Sequence, residues 1–174
     1  VDSTKLNEKG SFKFKETAPD NPEFYQLRLN NQVVIFAIDS TETVTINADA
    51  SDLHNTYTIE PVLGNKQIKQ VIDMQQTAKV AIADLVVEHD NNKIDDVTFM
   101  QSVDSILNVY KDFAQKIILG NPSSAAAYYA VFQKIDDYLI FDPYNKKDYP
   151  MFGAVATSWN RFYPETQRTK HLYD

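Results

Sequence analysis

Hydrophobic residues in the first third of the chain recur with a period of two. Over residues 25–29, Tyr and Leu alternate with Gln and Arg, which is typical of a strand with one buried face. Asn30-Asn31 follows as a tight turn, because asparagine tolerates positive φ better than most residues. Residues 33–38 are then apolar without interruption. Such a strand, apolar on both faces, is predicted to lie centrally in a sheet.

The same alternation predicts the other strands of this region. Residues 9–14, Lys-Gly-Ser-Phe-Lys-Phe, have the pattern of a turn and the return strand of a hairpin. Two shorter strands are predicted around residues 44–46 and 57–59. Together these elements predict an antiparallel, meander-like sheet of about five strands over residues 1–63, or part of an incomplete sandwich.

After Gly64 the apolar residues recur at helical spacing. The pattern predicts a helical bundle of four to five helices over residues 64–174. The first helix spans about residues 65–89, and the second runs from a cap at Asp95 or Asp96 to Gly120. The third runs from a cap at Asn121 to about residue 135. The fourth spans about residues 147–163, and a last helix begins at Glu165. Strands followed by helices indicate an α+β fold, not alternating α/β.

Charge and composition exclude several classes of protein. The net charge is −7 with acids and bases interleaved, so a phosphate backbone would be repelled and a nucleic-acid partner is not expected. The chain has no cysteine, which removes thiolate chemistry, disulfides and Cys-based metal sites from it. No apolar run approaches the roughly 20 residues of a membrane span. No cofactor is predicted.

The three histidines, His54, His89 and His171, do not form a metal-binding pattern, since none has a second histidine at ligand spacing. The triplet 88–90, Glu-His-Asp, contains catalytic residue types. Consecutive helical residues point about 100° apart, so the three side chains are not expected to converge. A solvated helix end is the favoured interpretation.

The acidic residues also lack a convincing site. Residues 90–95 resemble a calcium loop in part, but Ile94, Asp95 and Gln101 occupy positions that need an oxygen ligand, a glycine and a closing glutamate. A polar connector is favoured. The pairs 136–137 and Asp39/Glu42 are interpreted as solvated caps rather than acid–base catalysts. A hydrolase built on dispersed carboxylates is therefore disfavoured.

The most unusual segment is tyrosine-rich and covers residues 138–150. Its Tyr138, Tyr144 and Tyr149 are the candidate interaction surface of the chain, because exposed tyrosine offers contact area at low entropy cost. The alternative is an interhelix loop whose aromatic residues pack over the helical core. The sequence favours this structural interpretation.

Three segments resemble one family. Asp2-Ser3 with residues 9–14 and 24–29 is similar to the opening of a domain that precedes a thioredoxin-like domain in envelope proteins of Gram-negative gut bacteria. Residues 121–129, which begin Asn-Pro-Ser-Ser-Ala, resemble a helix start that recurs before that thioredoxin fold. Residues 166–172 resemble the segment that leads toward it.

The resemblance implies a non-catalytic N-terminal accessory module of a thiol–disulfide oxidoreductase, in the periplasm or anchored by lipid to the outer membrane. Its partners would be the thioredoxin-like domain of the same parent chain and that domain's protein clients. The redox Cys-x-x-Cys would lie beyond Asp174, and no redox residue can be carried over to a chain without cysteine. The alternative function is a free-standing peptide- or glycan-binding module of the envelope.

The ends of the sequence add one further expectation. Val1 falls inside the predicted hairpin pattern, and helix-forming residues are still accumulating at Asp174. We therefore expect a piece of a longer protein, with an open sheet edge near residues 12–15.

Overall fold

The computed structural model describes residues 2–173, and their helices and strands confirm a mixed fold in which short antiparallel strands precede a helical region. The elements are β1 (Glu23–Leu29), β2 (Gln32–Ile38), β3 (Thr45–Asn47), α1 (Leu53–Thr56), β4 (Thr58–Glu60), α2 (Leu63–Asp90), α3 (Asp96–Gly120), α4 (Ala125–Val131), β5 (Lys134–Ile135), β6 (Tyr138–Leu139), α5 (Tyr149–Phe162) and α6 (Gln167–His171).

The longest strands form the hairpin that the sequence predicts. β1 and β2 pair antiparallel, with Leu29 opposite Gln32. The two asparagines between them make the turn, and Asn30 has a φ of 54°. A two-residue loop with positive φ matches the twist of the flanking strands, which is why the hairpin closes at this point.

The prediction of one five-stranded meander is wrong. The strands within residues 2–173 form three separate two-stranded sheets, β1–β2, β3–β4 and β5–β6. β2 is therefore not central in a sheet. Its second edge is met by a helix, because the buried Asn65 of α2 accepts a hydrogen bond from the Ala37 amide (2.7 Å) and donates one to the Ala37 carbonyl (2.8 Å). The side chain of Asn65 thus takes the place of a third strand at this position.

β2 is apolar on both faces because each face packs against a different core. Ala37 belongs to the helical core, a cluster that includes Ile68, Tyr110, Phe141 and Trp159. Val34 belongs to the β-side core, formed with three other buried residues and flanked by partly buried ones: Leu53, Tyr57 and Ile59 are buried, and Leu27, Leu29, Phe36, Val44 and Ile46 pack around them. A strand between two cores has the same apolar pattern as a strand inside a sheet.

The strand predicted at residues 12–15 is absent from the fold. Residues 11–19 carry no strand, and Phe12 and Phe14 are exposed with their rings 5.8 Å apart. The preceding turn does form, since the Asn7 side-chain oxygen accepts from the backbone amides of Lys9 and Ser11. Alternation of aromatic and polar residues produced the prediction, but no strand pairs with the segment, so the expected open edge is not a strand edge.

The two long helices are confirmed. α2 contains 28 residues and α3 contains 25. Asp95 caps α3 as predicted, its carboxylate accepting from the Thr98 amide at 2.8 Å. None of the helices formed by residues 2–173 combines the length and the apolarity that crossing a bilayer requires.

The later helices differ from the predictions in detail. α4 begins after Ser124, whose hydroxyl accepts from the Ala127 amide, and not after Asn121. Ile135 lies in β5 rather than in a helix, and α1 was not predicted. α5 and α6 confirm the two last helices, with Thr166 as the cap of α6. Ser124 replaces Asn121 as the cap because its hydroxyl also donates to the Asn121 carbonyl, so the chain turns before the helix starts.

Candidate functional site

The three candidate tyrosines lie on the surface. Tyr138 is 82% exposed, Tyr144 94% and Tyr149 63%. The interpretation of an interhelix loop whose aromatic residues pack over the helical core therefore holds for Phe141 but is wrong for the three tyrosines. Their segment is attached to that core by Ile140 and Phe141, which are buried. These two apolar side chains anchor the segment and leave the tyrosines outside. We call residues 138–149 the tyrosine loop.

A buried ion pair fixes the tyrosine loop to the helical core. Asp148 is only 3% exposed, and its carboxylate accepts a hydrogen bond from the Lys111 ammonium of α3 at 2.6 Å. The same oxygen accepts from the Asp142 amide at 3.0 Å. One carboxylate therefore joins the two ends of the turn to a neighbouring helix. Breaking such a pair leaves an uncompensated buried charge, which is costly.

Backbone hydrogen bonds hold the exposed residues of the tyrosine loop in place. The Asp142 carboxylate accepts from the Tyr144 amide at 2.8 Å. The Asn145 carbonyl accepts from the Asp148 amide (3.0 Å) and the Tyr149 amide (2.8 Å). Tyr144 and Tyr149 therefore extend from a backbone that is bonded internally, which limits the conformations available to the loop.

His89 of the triplet 88–90 contacts two carboxylates, so it is not simply solvated. Its Nδ1 lies 3.9 Å from an oxygen of the neighbouring Asp90. Its Nε2 lies 2.7 Å from an oxygen of the Asp96 carboxylate, and its ring centroid lies 4.9 Å from that of Phe99. The contact joins the end of α2 to the start of α3. His89 therefore braces the connector between these helices, and the interpretation as a solvated helix end is wrong for this side chain.

The other acidic candidates occupy turns. Asp136 has a φ of 51° in the β5–β6 turn, and Glu42 accepts from the Asp39 amide at 2.8 Å. In the segment 90–95, Asp90 ends α2 and residues 91–95 form the turn between α2 and α3. Among residues 2–173 no three His, Cys, Asp or Glu side chains are grouped so that they could hold a metal ion.

A polar cleft that the sequence does not predict lies between β1, α4 and α6. Its volume is about 510 Å³, and it is lined mostly by polar side chains from three distant segments: Asn21, Glu23, Tyr128, Thr166, Gln167, Arg168 and His171. The fold brings these residues together because α6 packs back across the start of β1. We call this site the polar cleft.

The Arg168 side chain in the polar cleft contacts one carboxylate and two aromatic rings. Its Nη2 donates to the Glu23 carboxylate at 2.7 Å. Its guanidinium carbon lies 4.8 Å from the ring centroid of Phe24 and 5.8 Å from that of Tyr128. A guanidinium in contact with aromatic faces gains cation–π stabilisation and keeps a fixed plane.

Tyr128 and His171 form a second pair in the polar cleft. The Tyr128 hydroxyl lies 3.0 Å from His171 Nδ1. The imidazole also stacks on Phe132, with centroids 4.9 Å apart and an interplanar angle of 18°. Burial raises the pKa of the Tyr128 phenol, and the positive charge of Arg168 opposes that increase. The phenol is therefore a neutral hydrogen-bonding group at neutral pH.

Two residues that line the polar cleft each carry a buried polar atom that has no hydrogen-bond partner among residues 2–173. The two atoms are the Arg168 Nε donor and the Asn21 Oδ1 acceptor. Buried polar groups are almost always hydrogen-bonded, so these two atoms are exceptions within the packed protein, and their lack of accessible surface separates them from the open part of the cleft.

The sequence carried only a faint signal of the polar cleft. Arg168 and His171 are three residues apart on a short helix, so they share one face. Their partners Glu23 and Tyr128 lie far away in the chain, and no periodic pattern connects them. The cleft depends on tertiary packing and could not be found from spacing.

No family model, curated protein or solved structure matches the chain.

Proposed function

We propose that the protein is a non-catalytic interaction module that contacts another protein domain through the tyrosine loop. One observation carries the proposal: three strongly exposed tyrosines extend from a loop that is fixed by a buried Lys111–Asp148 pair. Tyrosine supplies large contact area with only two rotatable side-chain bonds, and it is enriched where binding energy concentrates at interfaces. A loop that is ordered before binding loses less entropy on association.

The partner we propose is a thioredoxin-like domain of the same parent chain, or a client of that domain. The support is the resemblance of residues 2–3, 9–14, 24–29, 121–129 and 166–172 to the accessory region of envelope thiol–disulfide oxidoreductases. The location that follows is the cell envelope, in the periplasm or on a lipid-anchored protein. A free-standing peptide- or glycan-binding module of the envelope, using the same tyrosine loop, is the alternative.

The gene beyond Asp174 is the first test of this partner. We expect it to encode a thioredoxin-type domain with Cys-x-x-Cys. If it does, that domain is produced separately and added to the isotope-labelled chain, and amide chemical shifts are followed by NMR. We expect the largest shifts at residues 138–149. A parent gene without such a domain rejects the oxidoreductase assignment, and shifts confined to another surface reject the tyrosine loop as the contact.

Substitution separates the tyrosine loop from the rest of the surface. The double variant Tyr144→Ala and Tyr149→Ala is expected to weaken binding at least tenfold, because hot-spot residues each contribute more than about 1 kcal/mol. Phe162→Ala is the matched control, since Phe162 is 59% exposed but lies at the end of α5. Equal weakening by the control and the double variant would show that the tyrosine loop has no special role.

The anchor of the tyrosine loop can be tested without a partner. Asp148→Asn removes the charge that balances Lys111, and we expect it to cost about 3–5 kcal/mol of unfolding free energy. The exposed pair Lys69–Asp73 (2.7 Å) supplies the control, because Asp73→Asn should cost no more than about 1 kcal/mol. Chemical denaturation measures both. Similar costs would mean that the buried pair does not anchor the loop.

A further inference from the structure

The paired helices α2 and α3 extend beyond the helical core. That core takes its buried side chains from residues 68–71 of α2 and 110–118 of α3. Every residue from 79 to 109, by contrast, is exposed or half-buried. About half of these residues are apolar. We call residues 79–109 the distal hairpin, and its apolar side chains are only partly covered by the two helices themselves.

The apolar row with which α2 faces the helical core continues into the distal hairpin. Ile68 and Ile72 pack in the helical core. Ile82 and Val86 lie fourteen residues after them, close to four helical turns, and therefore on the same side of α2. Ile82 is half-buried there, and Val86 is exposed.

α3 has a matching row. Ala114 and Leu107 pack in the helical core, and Met100 lies one heptad further toward the start of the helix. Met100 is 58% exposed. Near the core, α4 packs against both α2 and α3, but it has seven residues, whereas α2 has 28. The side of the two helices that packs in the core is therefore an apolar face with little cover along the distal hairpin.

The distal hairpin also carries much of the negative charge of the chain. With histidine counted as neutral, its six carboxylates and two lysines give a net charge of −4, against −7 for the whole chain. The carboxylates belong to Asp84, Glu88, Asp90, Asp95, Asp96 and Asp104. None of the ion pairs that lysine and arginine form within residues 2–173 involves them. The apolar face therefore lies in a negative field.

The charge of the distal hairpin selects what can cover its apolar face. A second copy of the chain would bring a charge of −4 against −4, and an anionic lipid surface would be repelled in the same way. A helix with apolar residues on one side and lysine or arginine on the other matches both the apolar face and the field around it.

From these observations we propose that the distal hairpin is a docking surface for a basic amphipathic helix of another protein. The helix packs against Ile82, Val86 and Met100 as a third helix beside α2 and α3, and its cationic residues meet the surrounding carboxylates. No residue of this surface belongs to the tyrosine loop, so the proposal does not rest on the proposed function.

A synthetic peptide of leucine and lysine, with its leucines on one helical face, tests the proposal. A length of about 14 residues spans roughly 21 Å as a helix, which matches residues 96–109 of α3. One control peptide has glutamate in place of lysine, and a second has the same composition in scrambled order. Isothermal titration calorimetry measures binding to the whole chain. We expect saturable binding of the basic amphipathic peptide that weakens as salt is added, and binding at least about tenfold weaker for both controls.

Two matched variants on α3 locate the site. Met100→Lys and Val109→Lys change the net charge equally, at positions that are 58% and 62% exposed. The two positions are nine residues apart, and steps of about 100° place them on opposite sides of the helix. Met100→Lys should weaken peptide binding at least about tenfold, because like charges then meet at the contact. Val109→Lys should weaken it no more than about twofold, since its charge is separated from the peptide and screened. Val86→Lys on α2 gives a second test if Met100→Lys does not fold.

Several results would overturn the proposal. No binding of the basic peptide, or equally tight binding of the scrambled one, would mean that the apolar face is not recognised. Equal weakening by Met100→Lys and Val109→Lys would reduce the interaction to general charge attraction. A dimer of the unaltered chain that Met100→Lys dissociates, seen by sedimentation, would assign the face to a second copy. Binding of the chain to phosphatidylglycerol vesicles would assign it to lipid.

The Tyr144→Ala and Tyr149→Ala variant keeps this test apart from that of the tyrosine loop. It should bind the basic peptide as the unaltered chain does, because neither tyrosine belongs to the distal hairpin. Loss of peptide binding in this variant would move the contact to the tyrosine loop and reject the distal hairpin as the docking surface.

Discussion

The helical core contains many more buried residues than the β-side core and draws them from more helices and strands. The helical core collects large buried side chains from α2, α3, α4 and α5, and it also takes Phe24 and Ala37 from the hairpin. The β-side core has four buried residues, Val34, Leu53, Tyr57 and Ile59. A two-stranded hairpin is marginally stable by itself in water. The β-side core must therefore depend on its contacts with the helical region.

This difference in size indicates that the stability of the β-side core depends on the helical core. β2 contributes Ala37 to the helical core and Val34 to the β-side core, so both depend on the same strand. The Asn65–Ala37 hydrogen bonds join this strand to α2. Damage to the helical core should unfold the whole chain, whereas damage to the β-side core should be felt mainly by its own elements.

The largest expected effect is that of Trp159→Ala. Trp159 is fully buried and contacts Tyr128 and Tyr163, so its truncation should cost about 3–5 kcal/mol and threaten folding. Leu53→Ala in the β-side core should cost about 2–5 kcal/mol, near the lower end of that range. Amide hydrogen exchange distinguishes the two effects. A loss of protection in α3 as large for Leu53→Ala as for Trp159→Ala would contradict the dependence of one core on the other.

Next in size is the effect of Asn65→Ala, which separates α2 from β2. The change leaves the buried amide and carbonyl of Ala37 without partners, at a cost of about 2–4 kcal/mol in total. Urea denaturation measures the cost, and exchange of the β2 amides should rise more than that of α3. Glu60→Ala, at an exposed position of β4, is the control and should change stability by less than about 1 kcal/mol.

High pH should destabilise both cores through their buried phenols. Burial raises the pKa of Tyr57 in the β-side core and of Tyr110 in the helical core, and it raises the pKa of Tyr129 to about 12. In the unfolded chain these phenols ionise near about 10. The unfolded state then binds fewer protons than the folded state, so stability falls as pH rises above about 10.

Tyr57→Phe and Tyr110→Phe can assign this alkaline loss to a core. Each variant removes one ionisable phenol, so stability above about pH 10 should decline less steeply than in the unaltered chain. Tyr57→Phe also removes a buried hydroxyl that finds no hydrogen-bond partner within residues 2–173, so it should be neutral or stabilising at neutral pH. Circular dichroism at stepped pH values measures both. An unchanged decline in both variants would assign the alkaline loss to other groups.

The smallest effect comes from a matched pair of isoleucines. Ile59→Val in the β-side core and Ile68→Val in the helical core each remove one methylene from a buried position, at about 0.5–1.5 kcal/mol. If the helical core supports the β-side core, exchange in α3 should respond to Ile68→Val and much less to Ile59→Val. Equal responses would indicate a single cooperative unit.

The sequence predicted the long helices because the residues that determine a helix lie close together in the chain. In α3, apolar residues repeat at helical spacing from Val103 to Ile118, and Asp95 supplies the cap. The β1–β2 hairpin was predicted for the same reason, since its turn lies between adjacent strands. Strand partners farther apart depend on tertiary contacts, and the segment around Phe12 found none. Asn65 could not be foreseen as a strand partner, because a polar residue in a helix usually faces solvent.

The candidate sites likewise divide into features that the sequence predicts and features that depend on tertiary packing. Tyr138, Tyr144 and Tyr149 were identified by composition, but their exposure depends on how Ile140 and Phe141 anchor the loop. That outcome is a matter of tertiary packing. The polar cleft joins segments more than a hundred residues apart, so spacing along the chain carried no usable signal for it.

Asn65 has a consequence for the solubility of the protein. An uncovered strand edge is a template on which other chains can pair and aggregate. At Ala37 both backbone groups of that edge are already occupied by one amide side chain, so an incoming strand cannot continue its ladder past this point. A single asparagine on a neighbouring helix thus acts as a stop against intermolecular sheet growth, and Asn65→Ala should increase aggregation as well as lower stability.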